Sequence, residues 1–481
     1  MDLQASYIVV GGGIAGISCV ETLNTLTQES ILLISGSDVV RVTTNINQLT
    51  QALVQFDVEE KTASELEKSC PGLKVVTGVT LVSLDPELKQ LKLSDGRVAC
   101  YERSVCLCLG ASPKKLCGSE NAADLVLTLR DMESVASLME KLKSAKKVAV
   151  VGNGGIATEL VYTLKGVQDI VWIVRDKHIS AAFVDPGAAQ FFMSSGALTE
   201  AGQKKPETII KRLTYKSFKG EKKECQGAAL GPDWHSKFNI QGPAGDQMPN
   251  IKVEYETEVK KILRRGDSDF PKKHNEWPMV LELVNGNFIG CDLVVNAIGV
   301  VPNCKPFEGI LELADAQLGT GIKIDKGMRT SAPGVFAAGD IVFADWPKEK
   351  HWFQMRLWTQ ARQMGSQAAR SMATPSSAAM FDFSFELFAH VTTFFGFKVV
   401  LLGLYNGQGM DPSTWEALVR VTPGKEFIKL IISNGKVHGA VLIGNTELEE
   451  TCENLILNQL DVSALGDDLL NPDVDIEDYF D

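Results

Sequence analysis

The run YIVVGGGIAG, from Tyr7 to Gly16, joins a short apolar, β-branched segment to three glycines at the spacing of a dinucleotide-binding turn. Gly11 permits a tight turn and Gly13 lets backbone approach a pyrophosphate. Gly16 lets the following helix pack on the sheet with its N-terminal NH groups turned to the phosphates, and Ala15 lies beside it in the same turn. Apolar Ile14, Ile17, Val20 and Leu23 then recur at helical spacing to Leu26, and Ile31 to Ile34 reads as a second buried strand. The result is a β-α-β unit of the expected length.

A glycine pattern alone also fits a tight turn in an ordinary α/β domain, but here the pattern repeats. Lys147 to Val151 is a strand, Gly152, Gly154 and Ala157 restate the turn with alanine in the third place, and a helix from Ile156 and a strand at Ile170 to Val174 complete a second unit. Two units in one chain suit one flavin dinucleotide and one nicotinamide dinucleotide.

At 481 residues the chain is too long for one core, and its length suggests about three domains. A hydrophobic content of 44% with 22% charged residues is that of an ordinary soluble protein. No run approaches the roughly 18 apolar residues of a membrane span, and the apolar N-terminus lacks the basic flank of a signal peptide, so an intracellular protein is expected. Ten scattered cysteines without a C-x-x-C imply a reducing compartment, free thiols and no metal site. The net charge of −12 resides in residues 437–481, which hold twelve Asp or Glu and no Lys or Arg.

The expected class is α/β, with two Rossmann-like domains and a C-terminal α+β domain. Residues 1–130 and 305–375 form a discontinuous first domain, 131–304 the second and 376–465 the third, with an acidic tail at 466–481. Thr43 to Leu66 has helical patterning, Phe383 to Phe388 reads as a strand, and a long helix is expected over Met355 to Met372. Between about 187 and 245 the pattern breaks down. Lys204, Lys205, Lys211, Arg212, Lys216, Lys219, Lys222 and Lys223 mark an insertion on the second domain, either a solvated loop or a contact for a polyanion or partner.

These motifs, in this order, resemble the pyridine nucleotide-disulfide oxidoreductases, flavoproteins with two dinucleotide-binding domains. The resemblance rests on Gly11, Gly13 and Gly16; Gly110, Ala111 and Pro113; Gly152, Gly154, Ala157 and Glu159; Asp292, Gly299, Pro302 and Asn303; and Thr330, Gly339 and Asp340. It implies an FAD site at Gly11, Gly13, Ala15, Gly16, Gly110, Ala111, Gly339 and Asp340, the last holding the ribityl chain. It implies an NAD(P)H site at Gly152, Gly154, Ala157, Glu159, Arg175 and Gly299. The stretches DFSFELFAHVTTFFGFKVVLLGLYN, VLIGNTELEETCENLILNQ and NPDVDIEDYFD, with ALGPDWH and MRLWTQARQMG, are similar to those of one member of that family. That closer likeness implies an NAD(P)H-oxidising protein of nucleus and cytoplasm that protects the tRNA ligase complex from oxidative inactivation.

The departures are informative. Ser35 stands where the family places an acidic residue for the adenosine ribose, with Ser37 and Asp38 as substitutes. Arg175 followed by Asp176 permits both NADH and NADPH. No cysteine lies between 19 and 70, where a redox dithiol would fall, and Cys106 and Cys108 on one strand face read as buried structural thiols. Hydride transfer from NAD(P)H to flavin then remains as the reaction; the alternative is a reductase of a small-molecule or protein disulfide. Arg41 is a candidate cation near the flavin ring or a plain surface arginine, and His390 reads as a core histidine. In the tail, Leu469, Leu470, Val474, Ile476, Tyr479 and Phe480 are interspersed among seven carboxylates, which suits an arm that docks on the catalytic ligase subunit as well as a solvating tract.

Overall fold

The structure, a computed structural model, describes residues 3–129, 132–194, 208–213, 249–374 and 383–474. Its first sheet is built on four parallel strands in the order Leu73–Val76, Ile31–Ile34, Leu3–Val10, Val98–Leu107. Val335–Ala337 adds in parallel to the last of these, and Gln90–Leu93 and Leu81–Asp85 continue antiparallel. Tyr7 to Val10 and Ile31 to Ile34 are buried on both faces, as parallel strands between layers must be. The helix Ile14–Leu26 covers this sheet and is crossed by the helix Trp358–Ala373.

The second sheet is wholly parallel, in the order Val126–Thr128, Leu293–Asn296, Lys147–Val151, Asp169–Ile173, Asn250–Glu254. A separate antiparallel sheet, Val259–Arg264, Met279–Leu283 and Phe288–Cys291, packs on it. The third sheet is antiparallel: Ile209–Leu213, Glu416–Thr422, Glu426–Ser433, Lys436–Ile443, Phe397–Gly403, Ala389–Phe394. The helix Glu449–Asn458 lies against it. The class is therefore α/β with two Rossmann-like domains and a C-terminal α+β domain.

Several expectations are corrected. Thr43 to Leu66 is mostly a hairpin of Val39–Gln48 with Val54–Thr62, and only Ala63–Ser69 is helical. Val39, Val40, Val42, Thr43 and Thr44 favour the pleated backbone, and Thr62 with Glu65 forms a capping box that starts the helix after the strand. Phe383–Phe385 is a 3-10 turn, the next strand starting at Ala389, and the long helix begins only at Trp358. Val126–Thr128, expected in the first domain, pairs with Leu293–Asn296 in the second.

The insertion and the tail also differ from expectation. Ile209–Leu213 is no part of a second-domain loop but the edge strand of the third sheet, paired with Glu416–Thr422. Its Arg212 forms ion pairs with Glu416 and with Asp467. The tail is not detached from Gly466 onward: Gly466–Leu470 is a 3-10 turn whose Leu469 and Leu470 enter the third core, and Arg420 donates to the Leu470 carbonyl. The two leucines gain from burial while the adjoining Asp467 and Asp468 stay exposed, so seating the turn desolvates no carboxylate. Lys204, Lys205, Lys216, Lys219, Lys222, Lys223 and the tail residues 475–481 lie outside the described residues, as does the junction at 375–382.

The domains are tied by buried polar groups. Lys429, on the third sheet, is fully buried and donates to Asp185 Oδ2 and Asn406 Oδ1, each at 2.6 Å; Asp185 also caps the second-domain helix Pro186–Ser194 through Ala188 N. Glu453 on the last helix accepts from Thr50 Oγ1 and from the Ala52 backbone at 3.1 Å, which anchors the tip of the first-domain hairpin.

Gly365 sits where the helices Ile14–Leu26 and Trp358–Ala373 cross, and a Cβ there would stand 2.1 Å from the Ala15 carbonyl oxygen. Gly365→Ala is expected to cost roughly 1–3 kcal/mol, because neither backbone can yield without moving its helix. Thermal unfolding of the two proteins side by side checks this, and an unchanged midpoint would show that the helices do not cross as described.

Candidate active site

The first glycine turn is shaped by backbone contacts. Gly11 has φ +121°, and a Cβ on it would lie 2.1 Å from the Cys108 carbonyl oxygen; one on Gly16 would lie 1.9 Å from the Gly11 oxygen. Gly13 behaves differently: no atom lies within 4 Å of where its Cβ would be, and it starts the helix with extended backbone and no side-chain cap. The helix N-terminus thus faces open space with NH groups that helix geometry leaves without carbonyl partners. Gly339, at φ +82°, sits against Ala15, with a Cβ position 2.8 Å from the Ala15 methyl, and delivers half-buried Asp340 beside the turn.

Gly110 and Ala111 leave the first sheet toward the second domain. Gly110 takes φ +64°, Ala111–Pro113 pairs with Val300–Pro302, and Asn303 Nδ2 donates to the Leu109 carbonyl at 2.8 Å while its Oδ1 accepts from Ser112. Arg41 donates its backbone NH to the Gly12 carbonyl at 2.9 Å, so its strand borders the turn, but its guanidinium is directed to Glu60 at 3.5 Å. Ser35 is buried, and its hydroxyl donates to the Ser37 carbonyl and would meet any Cβ on Gly12.

The second turn opens on a cleft of about 830 Å³. Gly152, Gly154, Arg175 and Gly299 line it. Gly152 repeats the Gly11 geometry, with φ +132° and a Cβ position 2.2 Å from the Ala297 carbonyl oxygen, and Gly154 repeats the open space at Gly13. Ala157 and Glu159, expected among the nucleotide contacts, are instead buried in the helix Gly155–Thr163 and form no part of the cleft wall. One turn into the helix, the third position of the pattern serves helix-to-sheet packing rather than contact with a ligand.

Two residues that shape the site carry no sequence signal. Arg356 is buried, donates from Nε to the Asp340 carbonyl at 3.1 Å, and from Nη2 to the Gly319 and Thr320 carbonyls at 3.0 and 3.1 Å. Gly319, Thr320 and Gly321 all have positive φ, which turns those carbonyls to one guanidinium, and Gly319 and Thr320 line the cleft. This arginine therefore joins the Asp340 segment to the part of the cleft wall formed by Gly319 and Thr320. Asn153, the variable residue of the second turn, donates to Asp176 Oδ2 and the His178 carbonyl and accepts from Ser180 N. No spacing rule marks either residue, because both act on carbonyls or loops distant in sequence.

Cys106 and Cys108 Sγ atoms are 3.5 Å apart and buried. The hydrogen bond to Cys106, with burial next in weight, pushes the Cys108 thiol well above its ordinary pKa. For Cys106, the hydrogen bond with Cys108 acts downward, but contact with Cys19 and burial outweigh it and hold the thiol well above the ordinary value. His390 is buried beside Thr359 Oγ1 at 3.4 Å, and burial lowers its pKa to about 4, so it is neutral at physiological pH. Among the described residues no group of His, Cys, Asp or Glu is arranged to hold a metal, and no helix is long and apolar enough to cross a membrane.

Two open-faced glycine turns, each closed behind by backbone, fit the pyrophosphates of two dinucleotides; a side chain at either tight glycine would collide with the strand end supporting the turn. Fold and site together define a two-site dinucleotide oxidoreductase. The chain belongs to the pyridine nucleotide-disulphide oxidoreductase family, which matches residues 5–197 and 246–365, and its cofactors are FAD and NAD(P)H. It is 44% identical over 506 residues to pyridine nucleotide-disulfide oxidoreductase domain-containing protein 1 of Rattus norvegicus, covering 99% of this chain and 98% of that protein. The Drosophila melanogaster protein of the same name is 44% identical over 489 residues and the full length of both. In fold, the chain is similar to the water-forming NADH oxidase of Lactobacillus brevis bound to NADH, with a TM-score of 0.66 and 16% identity over 96% of this chain and 92% of that one.

Burial and raised pKa together predict that Cys106 and Cys108 escape alkylation by iodoacetamide at about pH 8 in the native protein, while exposed Cys117 is modified. Peptide mass spectrometry before and after denaturation checks this; native-state labelling of the Cys106–Cys108 peptide would contradict the burial.

Proposed function

We propose that this protein is an FAD-dependent oxidoreductase that oxidises NAD(P)H without a redox dithiol of its own. The carrying observation is the burial of its clustered thiols, Cys106 and Cys108, away from the second cleft, which among the cysteines described is lined by Cys117 alone. The paired Cys106 and Cys108 lie beneath Gly11, where a Cβ would be 3.4 Å from the Cys108 Cβ, and so under the pyrophosphate turn rather than beside a reacting ring. Bound together, the cofactors supply hydride transfer from nicotinamide to flavin. The chain's own part is geometric. The Gly13 and Gly154 helix starts take phosphates, Asp340 receives a polar chain as an acceptor, and Arg356 keeps the Asp340 segment at a fixed separation from the cleft wall at Gly319 and Thr320.

The finer reading is that reduction regulates association with the tRNA ligase complex in nucleus and cytoplasm, protecting the ligase from oxidative inactivation. It is supported by the likeness of the late sequence stretches and by the composition of the acidic end. Because Leu469 and Leu470 are seated in the third core, the docking arm is taken to begin beyond Leu470, with Val474, Ile476, Tyr479 and Phe480 as anchors among carboxylates. A basic, metal-holding ligase cleft would complement such a segment.

Purified protein carrying FAD is expected to bleach on anaerobic addition of NAD(P)H and to recover slowly in oxygen at a rate indifferent to added disulfides, monitored by stopped-flow absorbance. Rapid disulfide-dependent recovery would support the disulfide reductase instead. A protein lacking residues 475–481 should keep its FAD and its NAD(P)H oxidation, yet lose NAD(P)H-dependent capture of the ligase subunit. Undiminished capture by the truncated protein would remove the arm from the proposal.

A further inference from the structure

We infer that His351 and His438 form an acid-sensitive clasp between the first and third domains, and that FAD is released when this pair takes up protons. His351 lies in the segment between the strand Val342–Ala344 and the helix Trp358–Ala373, where Trp346 and Trp352 enter the first core. His438 lies on the strand Lys436–Ile443 of the third sheet. Both are buried, and His351 Nε2 and His438 Nδ1 share a hydrogen bond of 3.0 Å, with the rings tilted by 35°. Their backbones are engaged as well. The His351 carbonyl accepts from Phe388 N at 2.9 Å and the His438 carbonyl from Leu404 N at 2.8 Å, so opening the pair disturbs several joined pieces of chain.

A nitrogen-to-nitrogen bond of this kind needs one ring nitrogen protonated and the other bare. A first added proton leaves the bond in place but puts a charge out of reach of water, and a second removes the acceptor. The charges that act on the rings are both cations: Lys350 acts on both, and Lys436 on His438. The carboxylates of the surrounding elements are engaged elsewhere or turned to water. Glu349 pairs with Lys326 at 3.3 Å, Asp461 accepts from Ser463 N, Glu453 on the last helix accepts from Thr50 and Ala52, and Glu386 is exposed. The end of that helix presents a neutral group, Gln459, which donates to the Val437 carbonyl and accepts from Lys350 Nζ at 3.2 Å.

Burial first, then the partner imidazole and Lys350, bring the His351 pKa down to about 4. Burial and then Lys350 also lower that of His438, with the Ser433 backbone acting the other way. Once released, both rings take protons near the ordinary imidazole value of about 6.5. The closed clasp is therefore fully favoured above that value and loses ground as pH falls toward the folded value of about 4. The segment carrying His351 is buttressed on the FAD side. Gln354 Oε1 accepts from Ala344 N and its Nε2 donates to the Val342 carbonyl, both at 2.8 Å, while Arg356 holds the Asp340 carbonyl. Opening the clasp thus loosens the strand that follows Asp340.

The test uses the FAD-loaded full chain. Flavin fluorescence on dilution, which rises as FAD leaves, should give a dissociation constant at least about tenfold higher at about pH 5 than at about pH 7. In His351→Gln combined with His438→Asn, amides stand in place of the paired ring nitrogens and do not titrate. This variant should hold FAD at neutral pH, and its ratio between the two pH values should be at least about threefold smaller. His390 and Glu453 are the same in both proteins, so their own response to acid does not alter the comparison. An unchanged ratio in the variant overturns the inference, as does FAD affinity in the unaltered protein that is equal at the two pH values. Hydrogen exchange of the unaltered protein decides the matter if the variant does not fold. Corrected for intrinsic rates, the Phe388 and Leu404 amides should lose protection at least about tenfold between about pH 7 and about pH 5, while Lys147–Val151 in the second domain keeps its own. Equal protection of Phe388 and Leu404 at both pH values would show that the clasp does not open.

Discussion

Three backbone segments converge on Ala15 and its neighbour Gly16, in contacts so close that the positions making them are glycines. Gly11 folds its carbonyl under Gly16, Gly365 on the crossing helix rides on the Ala15 carbonyl, and Gly339 meets the Ala15 methyl. Van der Waals repulsion at these distances is steep, so the turn, both helices and the strand ending at Ala337 are fixed relative to one another. The consequence is chemical as much as structural. Since the turn is backed by backbone at Gly11 and Gly16 and open at Gly13, the open direction is the one a phosphate group takes.

The same logic, repeated at Gly152 against Ala297, makes a second open turn, and the problem left to the fold is their mutual placement. Arg356 bears on it from the first domain, holding the Asp340 carbonyl and the Gly319 and Thr320 carbonyls at the cleft with one planar guanidinium, a use for which lysine has no matching fork. The third domain acts from outside: Lys429 grips the second domain at Asp185, and Glu453 grips the first at Thr50 and Ala52. Buried charges of this kind add little net stability, but an unpaired one is expensive, so they penalise wrong domain arrangements more than they reward the right one.

Much of this was legible from residue types. Glycines forced into positive φ or close backbone approach cannot be replaced, so Gly11, Gly16 and Gly152 announce their geometry through composition, and the buried strands at Tyr7, Ile31 and Lys147 through β-branched runs. The hairpin at Val39–Thr62 reads as helix in the sequence because its outer face is solvated and polar residues there mimic helical spacing; what holds its tip is Glu453, about 400 residues away in the chain. Ile209–Leu213 reads as loop because basic residues surround it, whereas a strand at a sheet edge needs charge to discourage further pairing. Ala157 and Glu159 belong to a motif whose third place concerns packing, and Arg356 and Asn153 have partners, carbonyls and loop atoms, that leave no sequence signature.

The thiols show why a family resemblance has to be read together with burial. A C-x-C on a strand puts two sulfurs on one face, and here they come within 3.5 Å of each other. Proximity alone would invite a redox role, but a thiol must ionise to attack, and both are held protonated by burial and by contacts within the cluster they form with Cys19. Their surroundings add a geometric obstacle, because the Cys108 carbonyl lies under Gly11 and any shift of that strand would be transmitted to the phosphate turn. A working dithiol at this position would therefore compromise the cofactor turn it was meant to serve. The cysteines instead fill the space between sheet and helix as small apolar side chains, with Cys19 Sγ 3.9 Å from Met372 Sδ on the crossing helix, which makes them part of what holds the turn shut.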